Sequence, residues 1–544
     1  MKTRRTSVLV VIALVGLAAC ATATAPAATV PHPTPGRRHP NILMVLTDDL
    51  NLDELSTMPN VQSLIGEHGV TFSHALVSVS LCCPSRTTIL RGQYSHNTGV
   101  LSNGGTNGGF EAAYGNGVEQ STIATWLHAA GYRTGLFGKY LNGYPATASD
   151  TYIPPGWSDF RSPTIGGNPY SEYRYMLNEN GREVPYGSRP TDYGTRVYSR
   201  QARAFIERAH RENRPFFAYL ALYAPHMPAV PAPQDRRKFA DAKAPRTASY
   251  NQRHVATNPR WVRTTPMMNA ALRTRVDRLY RRRIRSLQAV DRSVTGLVSM
   301  LRRTGQLHDT YIVFASDNGF HLGQHRLPAG KQTPYEEDIR VPLLVRGPGV
   351  PEHVTRDQFV GNVDFAPTFA QLAGVRPPSF VDGRSFAPLL GARPAASADP
   401  RRSFLIEHWR EVGRIDTPER TRVALEPEDR DQTPDPPGKS RPRFADLPPR
   451  LRRETVRGAI AALDRIPEYH GLRTARYTYV EYDTGERELY DLTRDPAELE
   501  NIVANAPRSV VRGLHGRLHA LERCRDASCR RLDQLPVPGD TLSP

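Results

Sequence analysis

Two apolar runs in this chain end in the same way. Asn41-Ile42-Leu43-Met44-Val45-Leu46 leads into Thr47-Asp48-Asp49, and Thr310-Tyr311-Ile312-Val313-Phe314-Ala315 leads into Ser316-Asp317-Asn318-Gly319. Such runs read as buried strands of a parallel sheet, and ligands of open α/β sheets sit beyond the carboxyl ends of the strands. Three carboxylates gathered there repel one another and raise their own pKa values, a conflict that a cation resolves. The oxygen set of Asp48, Asp49, Asp317 and the Asn318 amide suits a hard ion such as Ca2+ or Mg2+, not zinc. One acidic pair alone serves equally well as a helix or turn cap. Two pairs at equivalent strand ends favour metal.

A second chemical feature is Cys82-Cys83-Pro84-Ser85-Arg86, which opens a predicted helix continuing through Leu90 to Gly92. Proline fits an early helical position, and the helix start offers free N–H groups and a positive dipole end. That setting attracts anions and stabilises an anionic nucleophile. Read from these residues alone, a buried structural cysteine and a reactive one stand level.

The same residues carry a family resemblance. Cys82-x-Pro84-Ser85-Arg86, followed by Gly92, resembles the signature of the sulfatases, whose cysteine is oxidised to formylglycine. Gly131-Tyr132-Arg133-Thr134-Gly135-Leu136-Phe137-Gly138-Lys139 resembles the second signature of that family. Ser316 to Gly319 and Glu488-Leu489-Tyr490-Asp491-Leu492 fall in order behind it, so that the resemblance runs from Pro40 to Asn501. Within the family, Leu81 to Arg86, Gly138-Lys139-Tyr140-Leu141-Asn142 and the stretch from Pro342 through Gly349 are most similar to N-acetylglucosamine-6-sulfatases.

The resemblance implies an alkaline-phosphatase-like fold and a set of roles. Asp48, Asp49, Asp317 and Asn318, with an oxygen of the modified Cys82, would hold Ca2+, Mg2+ being the weaker choice. Arg86 would hold the formylglycine hydrate, Lys139 and Lys331 would bind the sulfate oxygens, and His226 would contact the ester. One hydroxyl of the hydrate attacks sulfur, and the second then loses its proton and expels sulfate; plain serine lacks that second hydroxyl. The implied substrate is a sulfate ester of a glycan, such as glucosamine 6-sulfate, and a formylglycine-generating enzyme becomes a maturation partner. The rival implied by the same resemblance is a formylglycine-dependent phosphodiesterase or phosphonate monoester hydrolase. Many sulfatases carry a histidine two residues after the lysine matching Lys139, where this chain has Leu141, with Asn142 beside it as a candidate. Without the motif, Lys139 reads as a solvated loop lysine and His226 as a packed loop histidine. His321 and His325 follow the acidic pair and either line the pocket or stand behind it.

Elements must position these residues. Besides the two runs above, Phe216 to Leu222 and Val341 to Val345 read as buried strands, while Thr122 to Ala130 and Ile284 to Leu301 have helical periodicity. Alternating strands and helices predict an α/β fold with a large, mainly parallel central sheet flanked by helices. Toward the C-terminus, Thr474 to Tyr482 and Glu486 to Asp491 flank Asp483-Thr484-Gly485, which predicts an antiparallel hairpin. A last helix is expected over Val510 to Arg523.

Length and composition frame the rest. At 544 residues, 39% hydrophobic and 23% charged, the chain can bury a large core. Its net charge of +17 suits anionic partners. The densest basic cluster, Arg281-Arg282-Arg283-Ile284-Arg285, reads as a solvated helix face, and no nucleic-acid-binding signature accompanies it, so nucleic acid is not expected as a partner.

Lys2, Arg4 and Arg5 before the apolar run Val8 to Leu17 form a signal peptide, and Leu17-Ala18-Ala19-Cys20 resembles the lipobox of bacterial lipoproteins, with Cys20 the lipidated residue. The expected location is therefore outside the cytoplasm of a bacterium, secreted or tethered at the cell surface through a lipid. Of the five cysteines, Cys524 and Cys529 suit a local disulfide in such a compartment. The expected organisation is a leader over 1–20, an Ala/Thr/Pro-rich tether over 21–39, a catalytic domain over 40–400, and a C-terminal subdomain over 401–544 with an antiparallel sheet and a polar insertion at 417–449.

Overall fold

The computed structural model describes residues 39–393, 401–412 and 466–537. The leader with Cys20, the tether up to Arg38 and the polar insertion at 417–449 lie outside the described residues. The strands in chain order are β1 (Asn41–Thr47), β2 (Val70–Phe72), β3 (Ala75–Leu76), β4 (Arg133–Gly138), β5 (Asp159–Gly167), β6 (Tyr175–Glu179), β7 (Arg182–Tyr186), β8 (Phe216–Ala221), β9 (Thr310–Ser316), β10 (Leu343–Arg346), β11 (Val354–Arg356), β12 (Val360–Gly361), β13 (Ser403–His408), β14 (Tyr469–Thr474), β15 (Tyr477–Tyr482) and β16 (Arg487–Asp491).

Ten of them form one sheet in the order β11-β2-β10-β9-β1-β8-β4-β5-β6-β7. Its centre, β9-β1-β8-β4-β5, is parallel throughout. The apolar run at Val341 to Val345 gives β10, which pairs antiparallel with β9.

Parallel strands buried on both faces need apolar residues at every position, and β1 shows why its run is unbroken. Ile42, Met44 and Leu46 enter one core, with Ile89, Trp126 and Phe369 from the helices Cys82–Arg91, Ile123–Ala129 and Phe365–Leu372. Leu43 and Val45 enter the other, with Phe205 and Val294 from the helices Gly194–Arg211 and Ala270–Arg303.

The C-terminal sheet, β13-β14-β15-β16, is antiparallel. Its Phe404, Tyr469 and Tyr490 share a core with Tyr94, Trp261 and Tyr335, and the helix Arg508–Leu521 covers it with Leu514 and Leu518. Cys524 and Cys529 form a disulfide just beyond that helix. No helix among the described residues is long and apolar enough to cross a membrane.

Candidate active site

Register decides what the strand ends deliver. Thr47 of β1 stands beside Ser316 of β9, Leu46 beside Ala221 of β8, and Ala221 beside Gly138 of β4. Four neighbouring strands therefore stop at one level, and Asp48-Asp49, Asp317-Asn318, the loop to His226 and Lys139 leave the sheet together. Gly138 is needed for this: its φ is +108°, and a Cβ there would lie 1.9 Å from the Ala221 carbonyl oxygen. The Lys139 N–H donates to that same carbonyl at 2.8 Å.

The helix Cys82–Arg91 starts over these ends and stops at Gly92 in the left-handed conformation, as its glycine allows. Cys82 and Cys83 are both free thiols and diverge. Cys82 Sγ donates to Asp48 Oδ1 at 3.3 Å, whereas Cys83 packs into the apolar core beneath the helix. The Cys83 N–H donates to Asn103 Oδ1 at 2.8 Å. Burial and the Asp48 charge push the Cys82 thiol far above its ordinary value, which disfavours the thiolate.

Each carboxylate in the cluster faces a cation. Lys139 Nζ donates to Asp48 Oδ2 at 2.6 Å, and Arg86 Nε donates to Asp317 Oδ2 at 2.8 Å. Lys331 Nζ donates to Asp49 Oδ1 and lies 2.7 Å from Cys82 Sγ. His226 Nε2 lies 3.6 Å from Asp49 Oδ2, and its ring packs on Tyr170 at 4.5 Å. Tyr170 and Tyr223 also wall the Lys139 ammonium, at 5.1 and 5.9 Å.

Burial works to raise every carboxyl here, yet for Asp48 it is outweighed by Lys139, His226 and Arg86, and for Asp49 by Lys331 and His226. Both are held low. Asp317 goes the other way, pushed up to about 6 by burial and the neighbouring Asp48 charge. One mechanism thus governs all three: carboxylates crowded in a dry site each need a positive partner.

The donors fit a hard cation. Asn318 Oδ1 is buried with no hydrogen-bond partner, while its Nδ2 is fixed on Asp49 Oδ1 at 2.7 Å. Asp48, Asp49, Cys82 and His226 each place a ligand-capable atom within 4.8 Å of the others. His226, read from the sequence as an ester contact, thus also borders the acidic cluster.

Sequence reasoning missed several supports. Arg283, read as part of a solvated helix face, is fully buried. Its Nε and Nη2 grip Glu54 at 2.7 and 2.6 Å, and Nη2 donates to the Asp49 carbonyl at 2.5 Å. A guanidinium inside a run of exposed arginines has no distinguishing sequence signal. Tyr170, Tyr223 and Asn103 were likewise unmarked. Leu141 sits in the apolar core, so a histidine at that position would lose its hydration, while Asn142 Nδ2 reaches the Tyr170 hydroxyl at 3.3 Å. His321 faces away from the cluster to Asp338, at 3.0 Å from each carboxylate oxygen.

A family model described as Sulfatase matches residues 40–375, the span that holds every strand end above. The chain belongs to the sulfatase family. N-acetylglucosamine-6-sulfatase of Homo sapiens is 34% identical over 508 residues, which cover 91% of this chain and 86% of that one. The extracellular sulfatase SULF-1 homologue of Drosophila melanogaster is 38% identical over 381 residues, 68% of this chain. The chain spans only 33% of that relative's length. Among solved structures, a protein in complex with its substrate D-glucosamine-2-N,6-O-disulfate superposes with a TM-score of 0.66 at 22% identity, over 92% of this chain and 99% of that one. That likeness shows the sulfatase fold, with its large mixed sheet and separate C-terminal antiparallel sheet.

Proposed function

We propose that this chain hydrolyses sulfate monoesters of sugars, with glucosamine 6-sulfate in a glycan as the favoured substrate and Cys82, oxidised to formylglycine, as the nucleophile. The observation that carries this reading is the convergence of Cys82, Lys139, His226 and Lys331 on one acidic cluster above the central strand ends. Burial disfavours the thiolate at this position, which fits a residue meant for conversion.

Asp48, Asp49, Asp317 and Asn318 would hold the divalent cation, Ca2+ first, as an all-oxygen set. Bound there, the cation would acidify the nucleophile and offset negative charge. Lys139 and Lys331, which donate to Asp48 Oδ2 and Asp49 Oδ1 beside Cys82, would bind the sulfate oxygens and stabilise charge as it develops. Arg86, locked on Asp317 and on the Lys139 carbonyl at 3.0 Å, keeps the nucleophile's end of the helix in register with the cluster. His226, with Nδ1 2.6 Å from the Met227 carbonyl, turns Nε2 toward the cluster, where it would contact the sulfate ester. The glucosamine preference rests on the human relative and on the substrate-bound structure. An exported protein, free or lipid-tethered through Cys20, suits such a substrate.

Two measurements test the reading. Mass spectrometry of the peptide containing Cys82 is expected to show aldehyde in place of thiol. Turnover of a 6-O-sulfated glucosamine is expected to exceed that of a phosphonate monoester; the reverse order would sink the sulfatase reading.

A further inference from the structure

A second cluster of ligand-type atoms lies away from the strand ends. His325 is in the loop after β9, Glu337 in the short helix Glu336–Ile339, and Glu498 beyond β16. His325 and Glu498 are each only 1% exposed. Nδ1 of His325 and Oε1 of Glu498 make no hydrogen bond, and His325 Nε2 and Glu337 Oε2 meet each other only as an ion pair without hydrogen-bond geometry. Buried polar atoms are rarely left so, and here three residues leave them at one spot, with ligand atoms within 4.8 Å of one another.

The remaining atoms of these side chains are tied down. Glu337 Oε1 accepts from the Ser249 hydroxyl at 2.9 Å, and Glu498 Oε2 accepts from the Glu336 N–H at 2.9 Å. The His325 ring stacks on Tyr335 with centroids 3.8 Å apart. The two carboxylates are thereby oriented by hydrogen bonds, as outer partners orient metal ligands, and His325 by its ring stack alone. His325 Nε2 and Glu337 Oε2 are 3.4 Å apart. Two ligands bound at about 2.0–2.1 Å to one tetrahedral ion stand about 3.3 Å apart.

We propose that His325, Glu337 and Glu498 form a second cation site, for a first-row transition metal with zinc foremost, distinct from the oxygen-only cluster at Asp48, Asp49, Asp317 and Asn318. One imidazole and two carboxylates match zinc's mixed nitrogen and oxygen preference, with solvent as the fourth ligand. Glu337, whose side chain is 17% exposed, gives the way in. The site clamps the loop leading to Lys331 onto the C-terminal segment that carries Glu498.

The test uses the full protein, stripped with EDTA, dialysed and refilled with excess Ca2+ at the first cluster. Titration with Zn2+ is expected to give one equivalent bound with a Kd of about 1 μM or tighter. Co2+ in its place is expected to give the visible band of a tetrahedral site. His325→Phe keeps the ring stack and loses both nitrogens; Glu337→Gln keeps the shape and loses the charge. Each is expected to weaken Zn2+ at least about 100-fold, beyond the usual cost of losing an outer partner, while Asp49→Asn leaves it in place. Absence of a stoichiometric Zn2+ site in the wild-type protein overturns the proposal whether or not the variants fold. Equal Zn2+ affinity in folded His325→Phe or Glu337→Gln does so too, and assigns these atoms to ordered water.

Discussion

The molecule buries carboxylates in two contrasting ways. At the strand ends, Asp48, Asp49 and Asp317 are matched one for one by Lys139, Lys331 and Arg86. In the C-terminal sheet, fully buried Glu488 pairs with no such cation among the described residues. It accepts hydroxyls from Tyr335 at 2.9 Å and from Tyr482 and Tyr490 at 2.6 Å each, and burial still raises its carboxyl despite the three bonds. Ammonium partners on long side chains can let go and serve a substrate. Tyrosine hydroxyls on rigid rings cannot, and since Tyr335 comes from the loop that carries Lys331, they fasten that loop to the sheet. In the proposed function Lys139 and Lys331 exchange partners, while Arg86 and the tyrosines keep theirs.

The sharpest way to break this contrast is at the proposed nucleophile. Cys82→Ala is expected to lower turnover by at least about 10^4-fold, as removal of a nucleophile does. Cys83→Ala, made in the core face of the same helix, is expected to keep turnover and lose about 1 kcal/mol of stability. Equal activity losses in a steady-state assay would refute the division between the two cysteines. Next in size, Lys331→Met is expected to cut kcat/KM by about 10^2–10^3-fold, the usual effect of deleting one transition-state charge partner; a loss below about tenfold would mean that Lys331 is only structural.

Glu488→Leu is expected to invert that pattern. Three tyrosine hydroxyls would be left buried without an acceptor, at a cost of about 1–3 kcal/mol for each that finds no new partner, read in urea denaturation, with kcat/KM of the folded protein unchanged. An activity loss like that of Lys331→Met would erase the distinction between the two regions. The smallest effect is a pH slope. His96, 2.6 Å from Glu407 and 2.9 Å from the Cys524 carbonyl, is pushed up to about 9 by Glu407 and these bonds, against the downward pull of burial. Its folded value exceeds the unfolded 6.5, so its stabilisation is complete below 6.5 and fades as pH rises through about 9. His96→Asn is expected to flatten the decline in denaturation midpoint over that window; an unchanged slope would remove His96 as its cause.

What the sequence made legible follows from physical range. The runs at β1, β8 and β9 were readable because a strand buried on both faces must be apolar at each step, and the helix from Cys82 to Gly92 carried its own start and stop. The hairpin of β15 and β16 was local as well. Its extension by β13 and β14 was not, since Ser403 pairs with Thr474 across a long connection. Within the site, Asp48, Asp49, Asp317 and Asn318 were readable from strand ends, whereas Lys331 entered only through the family resemblance. Arg283, Tyr170 and Tyr223 escaped notice because their roles depend on what lies opposite them in space.

Arg283 has one further consequence. The backbone at Asp49 is fastened by a guanidinium, which no accessible pH neutralises. In the cluster it supports, Asp48 and Asp49 are held below the usual carboxylate range by their cation partners, while Asp317 is pushed up to about 6. Mild acid should therefore reach Asp317 first and leave the Asp49 end of the frame latched, much as a socket outlasts the loss of its bulb.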